Sequence, residues 1–268
     1  MLQVENVATY THSGPNANVA RSSENRLKPE ARGASRSGSA WVSLTRNLQI
    51  ALPQCSCMKI QAGILALCAL AATAQQKITA DFHGDEIGNA PSGWTSYASG
   101  GGPPGKWMVR SMEDAPGAKQ VVVQTDADAT DTRFPILIKD QEEYGDLDVS
   151  IRGKAISGKV DQGIGLVFRF RDPKSYYVMR ANALENNVRL YKMVNGNRLQ
   201  FAAVNTKVTS GTWHTLRAVA KGDRITCYFD GKQVISASDK TYASGKVGLW
   251  TKADSVIAFD DLTVSPVQ

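Results

Sequence analysis

Two dipeptides, Asn195-Gly196 and Asp230-Gly231, lie between short runs of β-branched and aromatic residues and constrain the fold most strongly. Tight type I′ hairpin turns need positive φ at both central residues, which Asn-Gly and Asp-Gly tolerate better than other pairs. Each dipeptide therefore predicts two antiparallel strands joined by a short turn. A chain with such hairpins is expected to build its core from antiparallel sheets.

Similar short runs recur along the second half of the chain, separated by Gly, Asp, Asn and Pro. They cover residues 120–124, 147–152, 164–170, 176–180, 188–193, 212–219, 225–229 and 256–259. Strands at this regular spacing are typical of a sandwich or barrel. No long apolar segment of period 3.6 follows Ala74, so crossover helices and a parallel α/β fold are not expected. The sequence predicts an all-β domain.

Residues 58–74 have the pattern of a secretory signal peptide, although they lie far from the first residue. Lys59 follows Met58, an apolar run comes next, and Ala72-Thr73-Ala74 supplies a small-x-small cleavage pattern. A transmembrane helix needs about 20 apolar residues, and this run is shorter. We expect cleavage near Gln75, a secreted or periplasmic protein, and no stable membrane span after cleavage.

The first 57 residues are rich in Ser, Asn, Ala and Arg and have no sustained apolar period. Such a segment cannot bury enough surface to fold, so we expect a disordered leader. One hypothesis is that translation starts at Met58 and the leader is an upstream extension wrongly joined to the protein; the alternative is a genuine disordered or transit-like extension. The predicted organisation is leader 1–57, signal peptide 58–74 and one domain over 75–268.

Removing the first 74 residues changes the charge and cysteine content. The whole chain carries +6, but residues 75–268 contain 24 Lys plus Arg against 22 Asp plus Glu, a net charge of +2. No nucleic-acid partner is expected, since such binding needs a concentrated basic face. Cys227 is the one cysteine left, which excludes a disulfide framework and a thiolate metal site. Its strand context predicts a buried, inert thiol.

Alternation along the strands assigns side chains to two faces of a sheet. Along 164–171 it groups Ile164, Leu166, Phe168 and Phe170 on one face and Gly165, Val167, Arg169 and Arg171 on the other. The next two strands group Tyr176, Val178, Arg180 and Asn182, and then Arg189, Tyr191 and Met193. If these strands pair as successive hairpins, one face gathers Arg, Tyr and Asn side chains.

An ordered series of motifs resembles secreted bacterial domains of the concanavalin A-like lectin/glucanase superfamily. The motifs are Gly165–Arg169, Asp172–Asn182, Asn187–Tyr191, Trp213–Arg217, Phe229–Gly231, Gly245–Lys252 and Phe259–Leu262. Laminin G-like and 3-keto-disaccharide-hydrolase-type domains are the most similar members. The resemblance runs from about Asp81 to Val264 and implies a two-sheet antiparallel jelly-roll sandwich whose curved sheet or rim loops bind carbohydrate.

Sugar binding needs flat apolar surfaces against which pyranose rings stack, together with planar donors and acceptors for hydroxyl groups. The candidate ligand-binding residues are Arg169, Tyr176, Arg180, Asn182, Arg189 and Tyr191, with Trp94 and Trp107 as rim aromatics. The alternative is that the arginines form a solvated ladder with acids. Trp213 and Trp250 lie in apolar strand contexts and are expected in the core. Tyr176 and Tyr177 alternate, so at least one of them is expected in the core.

The enzymatic alternative is a glycoside hydrolase, for which we assign no catalytic residue. Family 16 hydrolases of this superfamily use a Glu-x-Asp-x-x-Glu strand motif, and this motif is absent. The nearest stretch, residues 141–149, has its acids mainly before the strand. Hydrolysis of the 3-keto-disaccharide type needs only a base or a metal-bound water. His83 lies in a loop and His214 in a strand, and neither has metal-ligand spacing.

The resemblance also raises the question of a structural ion. Jelly-roll modules often hold Ca²⁺ where the first and last strands meet, and Asp81 and Asp260-Asp261 occupy those two ends. Carboxylate oxygens suit this hard cation. No other cofactor is expected, and three functions remain open: a glycan-binding module, a glycoside hydrolase, and a laminin G-like protein-interaction module.

The signal-peptide hypothesis predicts the N-terminus of the exported protein. When the full chain is produced in a bacterial host and recovered from outside the cytoplasm, we expect a mature product that begins near Gln75. Mass spectrometry of the N-terminal peptide tests this. Peptides from residues 1–57 in the exported product would contradict both the cleavage site and the start at Met58.

Overall fold

The computed structural model describes residues 77–117 and 119–267. The predicted leader and signal peptide lie outside these residues. Within the described ranges no helix is long and apolar enough to cross a membrane.

The short β-branched and aromatic runs all form strands, and the structure has further strands over 78–80, 94–100, 107–111, 133–139 and 246–250, which the runs did not predict. In chain order the strands are β1 Ile78–Ala80, β2 Trp94–Gly100, β3 Trp107–Ser111, β4 Gln120–Gln124, β5 Arg133–Lys139, β6 Leu147–Ser157, β7 Gly163–Asp172, β8 Ser175–Asn182, β9 Asn187–Val194, β10 Asn197–Asn205, β11 Trp213–Lys221, β12 Arg224–Phe229, β13 Lys232–Ser238, β14 Lys246–Trp250 and β15 Val256–Pro266.

These strands form two antiparallel sheets. The first has the order β13-β12-β11-β6-β15-β4-β3, and β1 pairs with the end of β15 through Ile78 and Val264. The second has the order β10-β9-β8-β7-β14-β5-β2. The prediction of an all-β, two-sheet jelly-roll sandwich is confirmed.

Both predicted hairpin turns are present. Asn195 and Gly196 have φ of 50° and 82° and join β9 to β10, while Asp230 and Gly231 have φ of 48° and 78° and join β12 to β13. Positive φ at all four residues is what the dipeptides predicted. The β9/β10 turn matters for the site, because it fixes the register of the edge strand β10.

The main core lies between the sheets. Leu166 and Phe168 of β7 face it from one side, and Ile151, Leu216 and Phe259 face it from the other. The Cys227 thiol is fully buried there, and burial raises its pKa to about 12. A thiol in this state is inert as a nucleophile, as the sequence predicted.

Strand β7 changes its pattern of faces at Arg169, contrary to the alternation read from the sequence. Arg169 has a φ of 48°, and the pairing with β8 shifts register between Phe168 and Asp172. This bulge places Phe170 in the same outer cluster as Val167, whereas Phe168 stays in the main core. The prediction that Phe168 and Phe170 share a face was therefore wrong, since a bulge adds a residue and reverses the alternation.

The bulge also sends the Arg169 side chain away from the other predicted site residues. Its guanidinium is almost completely buried and donates to the carbonyl oxygens of Gly145, Gly222 and Tyr242, each at 3.0 Å. Asp146 lies 3.4 Å from Nη2. Arg169 thus ties three loops together, and the prediction that it lies with the other candidates on one face is corrected.

Replacing Arg169 tests this structural role. Arg169→Met would leave three carbonyl groups without a donor, and we expect the free energy of unfolding to fall by about 3 kcal/mol. Arg171→Met, which removes an exposed arginine two residues away, should change it by less than about 0.5 kcal/mol. Urea denaturation measures both, and equal losses in the two variants would contradict the assignment.

Candidate functional site

The outer face of the second sheet gathers most of the predicted binding residues. Strands β8 and β9 pair as a hairpin that places Arg180 beside Arg189 and Asn182 beside Asn187. Cross-strand partners point to the same face of a sheet. The predicted face of Arg, Tyr and Asn side chains is therefore present.

This outer face is strongly concave. Arg198 on β10 lies over the Phe134 ring of β5, with 4.6 Å between the guanidinium carbon and the ring centroid, and four strands separate the two. In a flat sheet, strands about 4.8 Å apart would place them roughly 24 Å from each other. The sheet must curl for the two side chains to meet. We call this surface the concave face.

Glycines make room for a tryptophan at the centre of the concave face. A Cβ atom on Gly165 would lie 2.7 Å from Cε3 of Trp250, and one on Gly163 would lie 3.3 Å from its Cζ3. The indole therefore lies directly on the β7 backbone. Trp250 stacks on Phe134 at 5.4 Å between ring centroids and is fully buried. Its ring forms the floor of the concave face.

Tyr191 and Phe134 hold Arg198 between them. The Arg198 guanidinium carbon lies 4.8 Å from the centroid of Tyr191 and 4.6 Å from that of Phe134. Arg180 lies 5.7 Å from the same Tyr191 ring. Cations over aromatic faces are attracted by the ring quadrupole. Two arginines are thus fixed around one tyrosine.

Asp161 is the centre of a buried group of charges beside Trp250. Asn182 Nδ2 donates to Asp161 Oδ1 at 3.0 Å. Lys252 Nζ lies 3.2 Å and Arg180 Nη1 3.7 Å from Oδ2, yet neither is directed so as to form a hydrogen bond with it. Burial raises the pKa of Asp161, and the two cations oppose this rise.

The other ends of the two cations reach the rim of the concave face. Arg180 Nη2 donates to Glu185 Oε2 at 2.7 Å and to Asn187 Oδ1 at 2.9 Å. Burial acts to raise the pKa of Glu185, but hydrogen bonds from Asn187 and Arg180 outweigh it and hold the pKa below its usual value. Lys252 also donates to Asp131. Glu185 and Asp131 are exposed at 48% and 72%, so the charged group opens to solvent at this rim.

A second carboxylate holds the loop that carries Asp161. Asp254 accepts the backbone N–H groups of Lys159 at 2.6 Å, Val160 at 3.0 Å and Asp161 at 3.0 Å. Burial acts to raise the pKa of Asp254, but these three hydrogen bonds dominate and lower it. Asp254 therefore positions Asp161.

Several buried polar atoms of the concave face have no hydrogen-bond partner among the described residues. They are Asp161 Oδ2, Arg180 Nε, Arg198 Nη1 and Trp250 Nε1. Most buried polar atoms in folded proteins are paired, and exceptions call for an explanation. The other four such atoms among the described residues are Trp107 Nε1, Gln162 Oε1, Trp213 Nε1 and Thr251 Oγ1. On the concave face, a ligand can supply the missing partners.

Chemically, the concave face combines an aromatic floor with planar charged and amide groups. The rings are Trp250 and Tyr191, the acceptor is Asp161, and the donors are Arg180 and Asn182, each of them at least nine-tenths buried. This is the composition of a pocket that fixes the orientation of a polar, ring-shaped molecule. The carboxylate beside two cations could also take up a proton.

The two tryptophans predicted as rim aromatics, Trp94 and Trp107, do not lie on the concave face. Trp107 is buried in the main core with its ring 6.0 Å from Phe259, so its predicted rim position is corrected. Trp94 packs at the edge of that core, 5.5 Å from Phe82, and lines an open groove of about 530 Å³ with Lys139. Neither tryptophan lies on the concave face, because alternation along β2 and β3 directs both inward.

The other predicted residues are on the concave face with unequal exposure. Tyr176 is fully buried there, and its hydroxyl donates to Ser99 Oγ at 3.1 Å. Tyr177 faces the main core, as the alternation of the two tyrosines predicted. Arg189 is partly exposed and donates to Asn205 Oδ1 at 3.3 Å.

The tryptophans expected in the core have different surroundings. Trp250 is fully buried, but in the outer cluster and not between the sheets. Trp213 is partly exposed and packs on the outer face of the first sheet. Alternation predicts that a side chain is buried, but not which layer covers it.

Both histidines of the described residues have local partners. His214 Nδ1 lies 2.7 Å from Asp230 Oδ2, and its ring stacks on Phe229 at 4.9 Å. The backbone N–H of His83 donates to Asp81 Oδ1 at 3.1 Å. Over residues 77–117 and 119–267, no three His, Cys, Asp or Glu side chains form a group that could hold a metal ion.

The first and last strands meet where the sequence places Asp81 and Asp260-Asp261. Asp260 is fully buried and accepts the backbone N–H groups of Gly117 at 3.0 Å and Asp261 at 2.8 Å. Arg152 lies 3.5 Å from Asp261. Backbone donors and an arginine are thus the partners of this acidic pair.

Sequence reasoning missed Asp161, Lys252, Arg198 and the role of Trp250 as a floor. Gly163 and Gly165 alternate along β7, and glycine inside a strand often marks a close approach of another group. That signal could have identified the centre of the face. Nothing in the sequence pairs Asp161 with Lys252, since only the fold brings them together.

With the geometry established, the comparisons assign the family. The model of the 3-keto-alpha-glucoside-1,2-lyase-like domain matches residues 81–265. The chain belongs to this family. The resemblance to 3-keto-disaccharide-hydrolase-type domains is confirmed, over nearly the range that the motifs indicated.

One further similarity in sequence covers less of the chain. A levanase from Bacillus subtilis (strain 168) is 31% identical over 101 residues, which are 37% of this chain and 14% of the levanase. This chain therefore spans only a small part of that curated relative.

The solved structures show the fold alone. The carbohydrate-binding module CBM66 from Bacillus subtilis has a TM-score of 0.53 at 22% identity, covering 65% of this chain and 95% of the module. The cellulose-induced protein Cip1 has a TM-score of 0.50 at 10% identity, covering 71% of this chain and 97% of Cip1. Both agree with the two-sheet sandwich.

The Asp254 carboxylate makes the stability of the site loop dependent on pH. Its pKa is lower in the folded chain than the ordinary value for aspartate. Its stabilising effect is therefore present above that ordinary pKa and is lost as the pH falls toward the folded pKa. We expect Asp254→Asn to lower the free energy of unfolding at pH 7 by about 2 kcal/mol. Urea denaturation at pH 7 and pH 3 measures this difference, which should shrink at pH 3. An undiminished difference at pH 3 would contradict the ionic role.

Proposed function

We propose that this chain is a carbohydrate-binding domain and that the concave face holds the glycan. The observation that carries the proposal is the buried Asp161–Arg180–Lys252 group lying beside the Trp250 floor. Buried charges are costly to keep, and a protein gains little stability from them. Hydrogen bonding to a ligand rich in hydroxyl groups is a functional reason to keep such a cluster.

The unpartnered atoms support a sugar in particular. Each sugar hydroxyl both donates and accepts, so neighbouring hydroxyls can satisfy the Asp161 Oδ2 acceptor and the Arg180 Nε donor together. Tyr191 is nine-tenths buried beneath two arginines, so its ring holds in place the donors that would meet the sugar hydroxyls. Aromatic and polar groups in this combination bind ring-shaped polar ligands.

The relatives add independent support. Levanase and a carbohydrate-binding module are names of proteins that act on or bind carbohydrate, and both resemble this chain over part or most of the domain. The signal-peptide pattern over 58–74 favours a secreted or periplasmic site of action. A laminin G-like protein-interaction role remains the alternative, for which the chain would use a surface other than the buried charges.

Substitutions on the two sheets test the proposal. We expect the full chain to bind oligosaccharides on a glycan array. Asp161→Asn and Tyr191→Ala should weaken binding by at least about tenfold, the effect of losing roughly 1.4 kcal/mol. Tyr228→Ala, which alters a partly exposed aromatic of the first sheet, serves as the matched control. Calorimetry on the hits measures affinity, and circular dichroism checks folding; unchanged affinity in both concave-face variants would reject the site.

A second candidate function is elimination from 3-keto-α-glucosides, the chemistry that the family description names. The observation that favours it is Asp161, a carboxylate whose pKa burial raises and whose Oδ2 has Lys252 as its nearest cation, at 3.2 Å in poor hydrogen-bond geometry. A base there could take the C2 proton beside the ketone, while Arg180 and Lys252 stabilise the enolate oxygen. The C1–O bond then breaks as the C1=C2 bond forms, and the leaving alcohol takes up a proton.

Turnover distinguishes the two candidates. The bound glycans and a synthetic 3-keto-α-glucoside are incubated with the full chain, and mass spectrometry follows the products. Binding without product supports the binding domain. Release of the aglycone that is lost in Asp161→Asn would establish the elimination.

A further inference from the structure

We infer that the glycan carries a carboxylate and that Arg198 binds it. This inference rests on the proposed function, since it specifies the class of sugar that the concave face recognises. A uronic acid residue, a pyranose whose C6 is a carboxylate, is the corresponding chemical class.

Arg198 differs from the other cations of the concave face in its partners. Arg180 is paired with Glu185 and Asp161, and Lys252 is paired with Asp131 and Asp161. Arg198 has no carboxylate at ion-pair distance among the described residues; its contacts are the Phe134 and Tyr191 rings. In that part of the chain no carboxylate contacts its guanidinium directly, although its charge helps Lys252 to lower the pKa of Asp131 at the rim.

The aromatic contacts prepare Arg198 for a planar anion. The rings fix the guanidinium on the concave face and replace part of its water. A guanidinium presents its N–H donors as a rigid fork that matches the two oxygens of a carboxylate. The attraction between unlike charges is stronger where water is partly excluded. Arg198 Nη1 is buried and lacks an acceptor, so one side of the fork is unused.

The unpartnered atoms of the face are unequal in kind. Arg198 Nη1, Arg180 Nε and Trp250 Nε1 are donors, and Asp161 Oδ2 is the single acceptor. A hydroxyl group brings a donor as well as acceptors, whereas a carboxylate accepts only. A carboxylate therefore suits the Arg198 donor, and hydroxyls of the same glycan serve Asp161.

One ligand can reach both halves of the face. Arg180 and Arg198 lie over the same Tyr191 ring, at 5.7 Å and 4.8 Å from its centroid. A disaccharide is long enough to place its carboxylate at Arg198 and its hydroxyls at Arg180 and Asp161. Arg180 and Lys252 carry two positive charges against the three carboxylates of Asp161, Glu185 and Asp131, and Arg198 supplies a third positive charge.

Matched sugars test the inference. The full chain is titrated by calorimetry with oligosaccharide pairs that differ only at C6: glucosides and glucuronides, galactosides and galacturonides, mannosides and mannuronides. We expect at least one uronide to bind tenfold or more tightly than its neutral partner, and this preference to weaken as NaCl is raised. In Arg198→Gln the preference should disappear while the neutral sugar still binds.

The controls separate the causes of failure. Arg171→Gln removes an exposed arginine outside the site and should keep the preference. Neutral sugars that bind as well as uronides, or a preference that survives in Arg198→Gln, would overturn the inference and leave the proposed function intact. A 6-sulfated sugar that binds in place of the uronide would overturn the carboxylate assignment. Failure of every sugar in the panel, neutral and acidic, would defeat the proposed function and the inference together.

Discussion

The concave face depends on one packing contact, that of the Trp250 indole on the bare backbone of β7. A Cβ atom on Gly165 would lie within 2.7 Å of the ring, so any larger residue there would lift the indole. The indole supports Phe134, and Phe134 in turn contacts Arg198 from the far edge of the sheet. Curvature of the sheet, the floor of the site and the placement of two arginines thus follow from two glycines facing one tryptophan.

Around this contact the protein keeps a buried charge group that stability alone would not favour. Asp161 loses its interactions with water, and its contacts with Asn182, Lys252 and Arg180 replace only part of them. Taking charges out of water often costs more than their mutual attraction returns. Asp254 offsets this by binding three backbone N–H groups of the loop. Unfavourable arrangements such as this one are common at functional sites, where they are retained for function.

The sequence predicted ten of the fifteen strands and both hairpin turns, because these depend on local turn chemistry and alternation. The pairing of β8 with β9 is the one for which the shared face of Arg, Tyr and Asn was expected. The predicted alternation was wrong at Arg169, because an arginine gives no indication of a positive φ. That φ produces the bulge and moves Phe170 to the other face. The sequence also failed to assemble Asp161 with Lys252, which lie 91 positions apart in the chain. Gly163 and Gly165 indicated that another group packs closely on β7. The sequence does not show which side chain occupies the space left by the two missing Cβ atoms.

The pairing of β1 with β15 has a consequence for how this domain can be used. Ile78 and Val264 are direct partners, so the domain's two ends leave the fold side by side on the first sheet. The concave face belongs to the other sheet. A tether, a fused enzyme or a solid support attached at either end would therefore be joined to the first sheet and leave the concave face open. Domains with adjacent ends are also suited to insertion within a longer chain.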